Sequence, residues 1–241
     1  MKTLLAWLVI LTASATLRAE EIHVLAGNIA PFAYIENNKI VGVSVELVQE
    51  MARRQGKQVR VDLVPFARAY QVGKLSSSTL ILQVGRTSSR ESQFSWIVPL
   101  YQEPFLVFVR PDGIVDPDIV THGAPGPVGI LHNGLGEELA RELGVTPLDP
   151  SSDELTNARK LMAGHISAWL ASQNTAAYAM RIAGFDLKNL IHGKILRRYP
   201  LYLAAAPGYS IQNATLWVQA MEQMKADGTF QKILDKYNFK Q

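Results

Sequence analysis

The sequence predicts an α/β protein, and three observations carry that prediction. Short apolar runs alternate with amphipathic segments along nearly the whole chain, the pattern of strands and helices packed in layers. Residues 111–127 are dense in proline and glycine and break the alternation, which marks a boundary or hinge. Beyond that break lies a compact strand–helix block, and the tail returns to the style of the first third.

The elements follow in order. Lys2 precedes an apolar core over 4–11, then small residues with cleavage boxes at Ala13-Ser14-Ala15 and Leu17-Arg18-Ala19. Residues 1–19 therefore read as a signal peptide, the alternative being a buried N-terminal helix. The apolar run falls short of the ~20 residues that span a bilayer. Residues 22–26 read as a strand. A helix follows over 43–55, with Val45, Leu47, Val48, Met51 and Ala52 on its inner side and Gly56 as its stop. A strand over 59–64, a short helix over 67–74 and a buried strand over 80–82 come next, then a strand over 105–109. After the break, a strand is expected over 128–131 and a helix over 136–143. Ser151-Ser152-Asp153 caps a helix running to 163. A strand over 166–171 and a helix over 175–183 complete the middle block. The tail supplies a strand over 201–206 and a helix over 212–227, whose Trp217, Ala220, Met221 and Met224 share a core-facing stripe. A last helix spans 230–237.

Composition excludes several chemistries. The chain has no cysteine, so disulfides, thiolate metal sites, a Cys nucleophile and a cysteine-linked lipid anchor are ruled out. Removal of Lys2 and Arg18 with the leader leaves 22 basic against 21 acidic residues. That near-neutral balance is no footprint for nucleic acid. His23, His122, His132, His165 and His192 lack metal-binding spacing, so neither a metal nor another cofactor is expected. No G-x-S-x-G elbow, P-loop or G-x-G-x-x-G is present.

The most informative stretch is Arg86-Thr87-Ser88-Ser89-Arg90-Glu91, followed by Phe94-Ser95-Trp96 and Pro99-Leu100-Tyr101. Ser88 and Glu91 have capping-box spacing. Arg90 would then sit in the first turn of a helix, where a cation costs ~0.3–1 kcal/mol unless an anion compensates. Free N–H groups beside a guanidinium fork form a carboxylate site; the alternative is an arginine reaching into solvent.

Pro31-Phe32-Ala33-Tyr34, then Gly42-Val43-Ser44-Val45-Glu46-Leu47-Val48, then the stretch from Thr87 to Tyr101 occur in this order. Together they resemble the polar-amino-acid type of bacterial periplasmic solute-binding protein, family 3, over the whole mature chain. The pattern extends to Leu161–Gly164 and to Asp227-Gly228-Thr229. The resemblance implies a type II periplasmic-binding fold: two α/β lobes joined by two crossing strands, with ligand in the cleft between them. Lobe 1 would combine 20–110 with 199–241, and lobe 2 would be 111–198. It also implies that Arg90 holds the ligand's carboxylate and that Phe66 stacks on the ligand, the alternative for Phe66 being a core aromatic. Arg68, in Pro65-Phe66-Ala67-Arg68-Ala69, stands where a second cation would face the cleft, or else is a solvated surface arginine. Gly85 stands where a hydroxyl-bearing residue often faces the ligand. His132, in the turn before a lobe-2 helix, is either a ligand group or a surface residue. Ser172 replaces the aspartate that pairs with the ligand's α-ammonium. A serine cannot neutralise an ammonium, so this departure favours a carboxylate without that group, or one recognised differently.

The expected function is therefore periplasmic binding of a small carboxylate-bearing solute by a monomer. It would serve an ABC permease or a sensor at the inner membrane. The competing class is a dehydratase-like enzyme on the same scaffold, with Glu103 or His132 as its first acid–base suspects.

Overall fold

The computed structural model describes residues 21–76, 78–112, 115–118, 120 and 123–240. The predicted leader and His122 lie outside the described residues.

A sheet runs through the whole molecule. Its first half holds β1 (Glu21–Gly27), β4 (Gln58–Val64) and β5 (Thr79–Gly85), with β1 parallel to both others. Its second half holds β7 (Val128–Leu131), β8 (Leu148–Ser151) and β9 (Ala168–Ser172), again with parallel pairing. Between them lie two long antiparallel strands, β6 (Ser95–Val109) and β11 (Arg197–Ala205). β11 pairs with β5, while the far end of β6 pairs with β9, Phe105 opposite Ser172. These two strands are the crossing connections between the halves. The strand predicted over 105–109 is thus the end of a 15-residue strand. Pro99 and Pro104, which cannot donate to a ladder, hid its continuity, and two register shifts against β11 accommodate it.

Each half buries its sheet under helices. In the first, α1 (Val43–Arg54) turns Val45, Leu47, Val48, Met51 and Ala52 into the core, where all are fully buried. α6 (Ile211–Ala226) adds Trp217, Ala220, Met221 and Met224 to the same cluster, and α7 (Thr229–Lys236) adds Ile233 and Leu234. In the second, α4 (Glu154–Ala163) and α5 (Gln173–Ile182) pack on Phe108 and Trp169. Asp153 caps α4 as its position predicts, accepting from the Thr156 N–H at 2.8 Å. Gly164 closes it at φ 78°, a conformation that favours glycine. Two short helices complete the set, α2 (Phe66–Gly73) and α3 (Leu135–Glu142). A hairpin of β2 (Tyr34–Glu36) and β3 (Lys39–Val41), β8, and β10 (Ile191–His192) carry too little sequence pattern to be foreseen. Among the described residues, no helix is long and apolar enough to cross a membrane.

The helix expected to start at Ser88 does not form. Thr87 accepts from the Arg90 N–H at 3.1 Å, and a single 3₁₀ turn over Glu91–Gln93 leads straight into β6. Glu91 does not reach back to Ser88; its carboxylate grips the Arg86 guanidinium in two bonds of 2.9 and 2.6 Å. Arg86 itself lies against the rings of Trp96 and Tyr202. A bidentate pair anchored on two aromatics outweighs a capping box whose helix would run only one turn.

Candidate functional site

The carboxyl ends of β1 and β5 and the start of α2 form one wall of a cleft; the β7–α3 turn and the end of β9 form the other. Phe66 opens α2 and leans over Gly27, where a Cβ would lie 2.9 Å from its ring. That glycine is what lets the ring reach the cleft. Opposite, Leu135 comes down on Gly85, where a Cβ would lie 2.4 Å from Leu135 Cδ1. The space expected for a hydroxyl at position 85 is thus taken by an apolar side chain from the other wall. Phe32, Phe66, Phe105, Leu131, Leu135 and Leu201 line the cavity between them. It offers about 50 Å³ to the centres of water-sized molecules, room for a few waters.

At the mouth stands Arg90. It is buried, 7% exposed, and its guanidinium lies 5.2 Å from the centre of the Tyr70 ring. Nη2 is 2.9 Å from Glu138 Oε2, and Ser89 Oγ donates to Glu138 Oε1 at 2.6 Å. Nη1 is buried with no hydrogen-bond partner. Its anion partner is thus an acid of α3, on the opposite wall. Beside it, Glu137 accepts from Arg141 and from the Asn133 N–H. Burial raises its carboxyl, but these donors prevail and hold it below the usual range.

At the deep end the balance is reversed. Glu103, on β6, is almost fully buried and accepts from the Asn174 N–H at 3.1 Å and from Asn174 Nδ2 at 2.9 Å. Burial pushes its carboxyl up to about 7, against the hydrogen bonds of Asn174 and Ser172. Glu154, which also lines the cavity, is pushed up by burial to about 7 despite bonds from Asn157 and from Trp169 Nε1. Ser172 caps α5, its hydroxyl accepting from the Thr175 N–H at 3.3 Å. An acid thus lies beside Ser172 after all, supplied across the sheet by Glu103. It is a tie between β6 and α5 rather than a free charge.

Phe66 and Ser172 line the cavity, and Arg90 lines the adjoining mouth, which Phe66 and Gly134 share. Gly85 lies beneath Leu135. Arg68 is exposed and outside the lining of both spaces. His132 also stays outside them: its Nδ1 faces Glu137 Oε2 at 3.3 Å. Leu135 and Glu138 were not foreseen, because nothing in the local sequence says which wall α3 will meet. Among the described residues, no cluster of three or more His, Asp or Glu could hold a metal ion.

Residues 22–241 match the family model described as bacterial extracellular solute-binding proteins, family 3. The chain is a family 3 solute-binding protein. No curated protein matches its sequence. Solved structures match this solute-binding protein in fold at low identity. A histidine kinase sensor domain with similarity to periplasmic binding proteins superposes at a TM-score of 0.81, with 19% identity over 91% of this chain and 96% of that one. A mutant of ArgBP from T. maritima reaches 0.78, with 16% identity over 90% and 94%. An ancestral amino acid-binding protein, described as a precursor of cyclohexadienyl dehydratase, reaches 0.78 with 17% identity over 91% and 96%. The fold of this family 3 protein is accordingly the two-lobed type II periplasmic-binding fold, with β6 and β11 as the strands that join the lobes.

Proposed function

We propose that this solute-binding protein works in the periplasm, where it clamps a small carboxylate-bearing solute between lobes formed by 20–110 with 199–241 and by 111–198. Arg90 is the carboxylate anchor, Phe66 packs on the body of the solute, and Ser172 lies at the far end. The monomer delivers its cargo to an ABC permease or presents it to a sensor at the inner membrane. One observation carries this reading: a buried guanidinium at the cleft mouth with Nη1 unpartnered, since a buried Arg nitrogen without an acceptor is costly and a carboxylate satisfies it.

The test is a thermal-shift panel of amino acids, dicarboxylates, keto acids and short peptides. A ligand at a hundred times its dissociation constant stabilises by ~2.7 kcal/mol. Arg90→Ala should abolish that gain while the melting temperature without ligand stays within a few degrees. Unchanged stabilisation in the variant would overturn the role of Arg90.

One observation favours the enzyme class: Glu103 and Glu154 both line the cavity with carboxyls near 7, suited to proton transfer. Against it, Asn174 occupies both Glu103 oxygens. NMR of the stabilising compound after incubation with the protein decides between them; an unchanged spectrum supports the binder, and turnover the enzyme.

A further inference from the structure

α3 reaches across the cleft with two residues, and together they offer lobe 1 what a carboxylate solute would offer. Leu135, buried, fills the notch over Gly85. Glu138, one turn later, gives one oxygen to Ser89 Oγ at 2.6 Å and the other to Arg90 Nη2 at 2.9 Å. The Arg90 side chain is 9% exposed and that of Glu138 30%, so the pair sits at the edge of the buried region with the arginine on the inside. An apolar group and a carboxylate, held at fixed spacing by a rigid helix, meet an aromatic-lined floor and a guanidinium.

From this we infer that Glu138, assisted by Leu135, is an internal ligand of the cleft: it closes lobe 2 onto Arg90, and a solute's carboxylate must displace it to bind. The inference rests on the reading of Arg90 as carboxylate anchor. The physical reason is desolvation. Closing the lobes buries the guanidinium, and a buried charge with no partner is strongly destabilising. Glu138 supplies that partner from within the chain, so closure does not require a solute. A ligand shifts such an equilibrium only by its differential affinity. A carboxylate that merely replaces the Glu138 carboxylate exchanges one ion pair for a similar one. Solutes that also reach Nη1, which Glu138 leaves unpartnered, gain a bond the latch lacks. Glu138 thereby selects among carboxylates. A latch that holds about nine molecules in ten closed weakens apparent affinity about tenfold.

The absence of cysteine makes the test clean. Gln58→Cys on β4 and Arg159→Cys on α4, both exposed positions, place one spin label on each lobe. The full chain is unfolded in denaturant, dialysed and refolded to remove any carried solute, and the inter-label distance distribution is measured. The expected result is one dominant short distance in the parent. Glu138→Gln should move a large share of the population to longer distances, Glu138→Ala should move more, and Leu135→Ala should move part of it. Distributions that Glu138→Gln and Glu138→Ala both leave unchanged overturn the latch. So does a parent that is already mostly at the longer distance. Because no solute is added, either result leaves the carboxylate reading intact. Retained binding in Arg90→Ala overturns that reading, and the status of Glu138 as a ligand mimic with it.

Discussion

The two ends of the cleft treat the same chemical group in opposite ways. At the mouth, Glu137 is held below the usual carboxylate range because Arg141 and the Asn133 N–H outweigh its burial. At the depth, Glu103 accepts two hydrogen bonds from Asn174 and still rises to about 7. The difference lies chiefly in dielectric and countercharge: Arg141 pairs with Glu137, whereas Glu103 has the neutral amide of Asn174 as its hydrogen-bond donor. The mouth offers guanidinium groups and open solvent; the depth offers aromatic and aliphatic walls. The acids at the depth serve as fixed ties that hold α4 and α5 to their strands.

The largest effect that could break this contrast is on pH dependence. Glu103 binds its proton in the folded state up to about 7 but only to its ordinary 4.5 when unfolded. Between those values the folded protein holds the extra proton, so stability falls as pH rises through this window and levels off above it. The full difference is worth about 3 kcal/mol. Glu154, likewise raised to about 7, acts in the same direction. Denaturant unfolding at pH 5, 6, 7 and 8 should show this decline. Glu103→Gln should remove roughly half of it, and a slope identical to that of the parent would mean that Glu103 is not desolvated as its burial implies.

A smaller effect sharpens the contact between the walls. Gly85→Ala places a methyl 2.4 Å from Leu135 Cδ1. The leucine is the flexible partner and can withdraw, so the cost should be about 1 kcal/mol, at the low end for overpacking. Adding Leu135→Ala should recover most of it, giving a coupling energy outside additivity for distant sites. Additive losses in the thermal unfolding of the three variants would show that the two residues do not meet.

Much of this architecture is legible in the sequence, and the limits have physical causes. α1 and α6 were readable because their apolar positions repeat at helical spacing over about two turns, and Asp153 because a cap acts within its own segment. The family was readable from motif order. What escaped depends on contacts between distant segments. β6 reads as two pieces because prolines interrupt it and its pairing comes from β11 and β9. The Ser88 capping box failed since Arg86, held by two aromatics, took Glu91. Ser172 seemed to leave the deep end without an acid because Glu103 reaches it from a neighbouring strand. Leu135 and Glu138 gain their significance only when lobe 2 meets lobe 1.

Arg68 is the position where geometry decides what motif leaves open, and it yields the smallest predicted effect. It lies two residues from Phe66, on the same short helix, where the resemblance leaves open a cleft-facing cation or a solvated arginine. In the structure it is exposed and lines neither the cavity nor the mouth. One helical turn brings Tyr70 rather than Arg68 beneath Arg90, because residues three to four apart share a helix face and residues two apart do not. Phe66 and Tyr70 accordingly stand with ring centres 6.2 Å apart, Tyr70 against Arg90. Arg68→Ala should therefore change both the melting free energy and the ligand-induced stabilisation by less than ~0.5 kcal/mol. Tyr70→Ala, in the same thermal-shift assay, should weaken ligand stabilisation measurably. If the two variants exchanged these outcomes, α2 would have to turn on its axis when solute binds, and the cleft wall would be built from the other face of that helix.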